Sequence, residues 1–116
     1  MSVIKANRNE NYTVMANYHL RDKKLSLASK GLMSFMLSLP NTWEFSISGL
    51  AVVLSTGKDQ IRSRLKELEK HGYLHRHKRA RDKKGRLTAD VDYELYERPK
   101  DNPYVKNILE LEEKDT

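Results

Sequence analysis

Residues 56–86 carry twelve cations: Lys58, Arg62, Arg64, Lys66, Lys70, Arg76, Lys78, Arg79, Arg81, Lys83, Lys84 and Arg86. Only four acids, Asp59, Glu67, Glu69 and Asp82, oppose them. The segment is therefore +8 in a chain whose net charge is +6, which leaves −2 for everything else. Cations at this density repel one another unless a polyanion neutralises them. A basic block on a near-neutral body is the electrostatic footprint of a nucleic-acid binder. The plainer reading is a solvated face that keeps the chain soluble.

Other residue types in the same region could support different chemistry. His71, His75 and His77 lie close in sequence, but the chain has no cysteine and these histidines sit among cations that repel a divalent metal. Their nearest functional reading is a phosphate contact that strengthens on protonation. Glu67 with Glu69, and Asp90 with Asp92, are spaced like acid–base pairs. The first pair does not share a helical face and the second falls on the outer face of a strand, so solvated charge explains both. There is no Gly-rich phosphate loop, no G-x-S-x-G and no H-E-x-x-H. The expectation is a non-enzyme with no cofactor and no metal.

The scaffold for the basic block must be small. At 116 residues and 38% hydrophobic, the chain has material for one modest core. No apolar run approaches the roughly 20 residues of a membrane span. The first residues, MSVIKANRNENY, lack the apolar stretch of a secretory signal.

Residues 1–11 read as a mobile arm, and Tyr12, Thr13, Val14 and Met15 as a short edge strand. A polar connection over 17–26 is anchored by Leu20. Ser26 then caps a helix whose apolar face is Ala28, Leu32, Phe35, Met36 and Leu39, stopped by Pro40. Trp43 and Phe45 are expected to plug the core. Ser46 caps a second helix with Ile47, Leu50, Ala51 and Leu54 on one face, and Ser55, Thr56 and Gly57 form a tight break.

A third helix over 58–71 carries the stripe Ile61, Leu65 and Leu68, and Gly72 supplies the left-handed residue after its end. A strand over 73–79, a turn over 81–86 and an alternating strand over 87–97, with Ala89, Val91, Tyr93 and Leu95 on one face, make a β-hairpin. Pro103 opens a last amphipathic segment with Tyr104, Val105, Ile108, Leu109 and Leu111. It reads as a linker or docking helix toward a further C-terminal region.

This order specifies an α+β fold: a winged helix-turn-helix with a three-helix core, a β-hairpin wing and a short N-terminal edge strand. The domain would span 12–99, with 1–11 as the arm and 100–116 as the linker. On the third helix, the face opposite the apolar stripe is the one a major groove receives. Gln60, Ser63, Arg62 and Asp59 are the candidate base readers. Asp59 is awkward beside phosphate, so capping of the helix start is its favoured role. Arg64 borders the core and suits a structural or phosphate role. Phosphate contacts fall to Thr56, Lys58, Lys66 and Lys70, and on the wing to Arg76, Lys78, Arg79, Arg81, Lys83, Lys84 and Arg86.

The stretch LSTGKDQIRSRLKELEKHGYL, residues 54–74, resembles the recognition helix of winged helix-turn-helix proteins. Over residues 12–97 the chain is similar to the N-terminal domain of replication initiators and replisome organisers of Gram-positive phages, plasmids and genomic islands, the DnaD-like family. The shared phrases are HLRDKKLSL (residues 19–27), SLP (38–40) and the tryptophan that follows, Trp43. The resemblance implies binding of double-stranded origin DNA, a bacterial cytoplasmic location on a nucleoid or replicon, and contact with helicase-loading machinery through a further C-terminal region. A homodimer or higher oligomer fits the apolar tail. A winged-helix transcriptional regulator and a protein-assembly module with minor DNA binding are the alternatives.

Overall fold

Ser26 and Ser46 each turn the chain into a helix in the same way. Both have extended backbone angles, and each hydroxyl accepts a hydrogen bond from an amide three residues on, Ser29 at 3.1 Å and Gly49 at 2.9 Å. A computed structural model of the chain describes residues 2–6, 10–41, 44, 46–78 and 91–104. Its helices are α1 (Tyr18–Arg21), α2 (Leu27–Leu37), α3 (Ile47–Val53) and α4 (Lys58–Lys70). Strands β1 (Leu74–Lys78) and β2 (Val91–Leu95) follow, then a single 3-10 turn, Pro99–Asp101. The fold is α+β, and among the described residues the sheet is one antiparallel pair running from Leu74 opposite Leu95 to Lys78 opposite Val91.

α4 is the hub, packing against α2, α3 and β1. Ile61, Leu65 and Leu68 are buried against Leu32, Met33 and Met36 of α2, Leu50 and Ala51 of α3, and Tyr73 and Leu74 at the start of β1. The buried face of α2 is rotated from the expected one. Ser29, Leu32, Met33 and Met36 point inward, while Ala28 is exposed. Partly buried Tyr93 and Leu95 pack on the same core from β2, as the alternation required.

Two backbone positions shape the connections. Between α3 and α4 the left-handed residue is Ser55, with φ 54°, while Gly57 has an ordinary negative φ and serves as the N-cap of α4. After α4, Gly72 takes φ 89°, where a Cβ would be strained, and turns the chain into β1.

Two further expectations need correction. Tyr12 to Met15 form no strand; Tyr12 and Val14 are exposed, and none of the described residues pairs with them in a ladder. Residues 17–26 contain the short helix α1, and its anchor is His19, wholly buried, while Leu20 is 44% exposed. Beyond Pro99 the chain stays in contact with the turn after α4. Asn102 is buried and its Nδ2 donates to the Gly72 carbonyl at 2.9 Å. Trp43, Phe45, the turn over 81–86 and the tail beyond Tyr104 lie outside the described residues. No helix among those described is long and apolar enough to cross a membrane.

Candidate nucleic-acid interface

Because Ile61, Leu65 and Leu68 turn one side of α4 into the core, the opposite side must face solvent. Lys58, Asp59, Gln60, Arg62, Ser63, Lys66 and Lys70 are all exposed. Arg62, Ser63, Lys66 and Lys70 share the outward side over the length of the helix, with Asp59 in its first turn. Lys70, in the last turn, also suits the negative end of the helix dipole.

Asp59 does not cap the helix. Gly57 holds the cap position with no side-chain hydrogen bond, and Asp59 instead accepts from Arg62 Nη1 at 3.2 Å. Gln60 and Thr56 sit to one side. Together with Ala28, Gly31, Leu32, Leu54, Ile61 and Arg64 they line a groove of about 220 Å³ between α2 and the α3–α4 turn. The face expected to read bases is thus divided into a basic outer stripe and an apolar-lined flank.

Arg64 is structural. Its Nη1 donates to Ser26 Oγ and to Glu67 Oε1, both at 3.0 Å. Glu67, expected to be solvated, also accepts from the Ser26 amide and hydroxyl. Burial opposes its charge, but the neighbouring Ser29 hydroxyl, the hydrogen bonds from Ser26 and the Arg64 guanidinium together hold its carboxyl below the usual range. Glu69, likewise not free, accepts from Arg76 Nε at 2.8 Å. This pair joins α4 to β1 and gives one expected phosphate contact a carboxylate partner within the protein. Lys78 closes β1. Arg79, Arg81, Lys83, Lys84 and Arg86 lie outside the described residues.

The strand histidines are already engaged. His75 stacks on Tyr104 with ring centroids 3.6 Å apart and planes 6° from parallel, and His77 meets both rings edge-on. His77 Nε2 lies 2.9 Å from Glu94 Oε2. That hydrogen bond, with one from Tyr96, holds the Glu94 carboxyl below its ordinary range. Burial and then Glu94 push the Tyr96 phenol up to about 12. These contacts fasten the segment after β2 to the outer face of the hairpin. Among the described residues no group of three or more His, Cys, Asp or Glu is placed to hold a metal ion.

Comparison with protein-family models, curated proteins and solved structures finds no match to this chain.

Proposed function

We propose that this chain is a winged helix-turn-helix domain that binds duplex DNA. In this reading α3 and α4 are the helix-turn-helix, α4 lies in the major groove, and β1 and β2 with their connection form the wing. One observation carries it: α4 buries Ile61, Leu65 and Leu68 while presenting Arg62, Ser63, Lys66 and Lys70 along its free side. That division leaves a rigid helix with cations and a hydroxyl aimed outward, which suits base edges near its start and phosphates farther along. The sequence between β1 and β2, residues 79–90, adds five more cations, Arg79, Arg81, Lys83, Lys84 and Arg86. In this reading they neutralise flanking phosphates.

The role is binding, not catalysis, and needs no cofactor. The resemblance of residues 12–97 to replication initiators and replisome organisers supports origin duplex DNA as the target. It also supports a cytoplasmic, replicon-bound location and a C-terminal continuation that meets the helicase-loading machinery, while self-association rests on the apolar positions Tyr104, Val105, Ile108, Leu109 and Leu111.

A Lys66→Ala, Lys70→Ala double variant tests the placement of α4. If both lysines neutralise phosphates, binding to specific and random duplexes weakens together, and the slope of log K against log salt becomes shallower by about 2. Unchanged affinity with an unchanged slope would remove α4 from the interface.

A further inference from the structure

The pairing of Asp59 with Arg62 sits in the first turn of α4, where a groove-inserted helix meets bases. Asp59 supplies no cap, and α4 begins at Gly57 without a side-chain hydrogen bond. The Asp59 side chain is fully exposed and Arg62 is 53% exposed, so the ion pair contributes little to stability. An unneutralised carboxylate facing DNA would also oppose binding by repelling phosphates. In the first turn of α4 the carboxylate suits the positive end of the helix dipole, and there it is also paired with a cation on the free side of the helix.

The geometry gives this pair a role. Arg62 Nη1 donates to Asp59 Oδ1 at 3.2 Å, one turn along the helix. A long, freely rotating guanidinium is thereby held toward the N-terminal end of α4, where base contacts concentrate. Arginine has five N–H donors in a planar fork, so this bond leaves the Nε and Nη2 donors free. Two parallel donors match guanine O6 and N7, the pattern that distinguishes guanine in the major groove. Asp59 retains a second oxygen, Oδ2, that can accept from a cytosine amino group.

We propose that Asp59 and Arg62 form a guanine-reading pair, with Arg62 as the base contact and Asp59 as the residue that positions it, so that the DNA site contains a G·C pair beneath the start of α4. This rests on the duplex-binding reading above and names the base class that reading leaves open. The other cations on the outward stripe of the helix do not compete for this role, and Lys58 in the first turn lacks the planar fork of an arginine. Lys66 and Lys70 lie one and two turns farther along, where the helix leaves the bases for the backbone.

The test is selection of a randomised duplex library by the full chain, followed by titration of the selected duplex and of a copy with the guanine replaced by adenine. The wild type should select a guanine and prefer it about tenfold or more over adenine. Asp59→Asn removes a negative charge, so it should bind random duplex as well as or better than the wild type, yet lose most of the guanine preference. Asp59→Glu should restore part of that preference. Arg62→Lys keeps the charge and the salt dependence but should lose the preference as well.

If Asp59→Asn tightens binding to every duplex equally and leaves the guanine preference intact, Asp59 is a repulsive bystander and the proposal fails. Salt-dependent binding with no selected guanine would also overturn the pair while leaving duplex binding standing. Absence of any duplex binding by the wild type would remove both.

Discussion

Glu67 of α4 accepts two hydrogen bonds from Ser26, one from its amide at 2.8 Å and one from its hydroxyl at 2.9 Å. Ser26 is the N-cap of α2, so the carboxylate ties the start of one helix to the last turn of another across 41 positions of sequence. Arg64 completes the knot by donating to both partners. The solvent-facing stripe of α4 is set by the rotation of this helix about its axis. The knot and the buried Ile61, Leu65 and Leu68 fix that rotation together.

Glu67→Ala should therefore destabilise the fold by about 2–4 kcal/mol, since it strands the Ser26 amide and the Arg64 guanidinium in a half-buried site. Urea unfolding would register this as a lower midpoint at an unchanged slope. Glu67→Gln keeps an acceptor and should cost less. Equal stability of Glu67→Ala and wild type would show that the knot contributes nothing.

Acid should weaken the fold in two separate windows. His19 is wholly buried, its Nε2 lies 2.8 Å from Ser34 Oγ, and its Nδ1 has no partner. Burial lowers its pKa from 6.5, partly offset by Glu97 and reinforced by Lys30. A histidine whose folded pKa is depressed is protonated more readily in the unfolded chain. Its contribution is complete above 6.5 and is lost as pH falls through the depressed folded value. Glu67, lowered from 4.5, contributes fully above 4.5 and loses that contribution as pH falls further. Chemical unfolding at a series of pH values should show the earlier decline in the wild type and its absence in His19→Gln. An identical decline in both would assign the titration elsewhere.

The anchoring by His19 and the pairing of Glu67 differ from expectation for one reason. Helix caps and the stripe of α4 were readable because Ser26, Ser46, Gly72 and the 3.6-residue spacing of Ile61, Leu65 and Leu68 are local signals. His19 and Glu67 are polar residues bound by partners far away in sequence, and periodicity says nothing about such partners. Tyr12 to Met15 have strand-like composition, but a strand also needs a neighbour, and no described segment pairs with them. Of the candidate site, the outward cations of α4 follow from its buried stripe. The Asp59–Arg62 and Glu69–Arg76 pairs depend on side-chain rotamers that spacing alone does not determine.

Asn102 sets where the chain can be cut. Its Nδ2 bonds the Gly72 carbonyl and its Oδ1 accepts from the Tyr104 amide at 2.9 Å, while Tyr104 stacks on His75. A chain ending at residue 100 should lose about 1–3 kcal/mol from the unmade buried hydrogen bond and the lost packing. A chain ending at residue 104 keeps these contacts and should be spared that loss. If the apolar positions Val105, Ile108, Leu109 and Leu111 drive self-association, sedimentation should find the whole chain associated and the chain ending at 104 monomeric. A monomer in both cases would leave the tail without a role in assembly.

Duplex binding by a cationic surface is the central claim, and its most direct test is affinity for a duplex measured across a range of salt. Neutralising about four to six phosphates predicts a slope of log K against log salt of roughly −4 to −5. Weak binding with a slope near zero would contradict the account and assign the basic segment to solubility or to protein contacts.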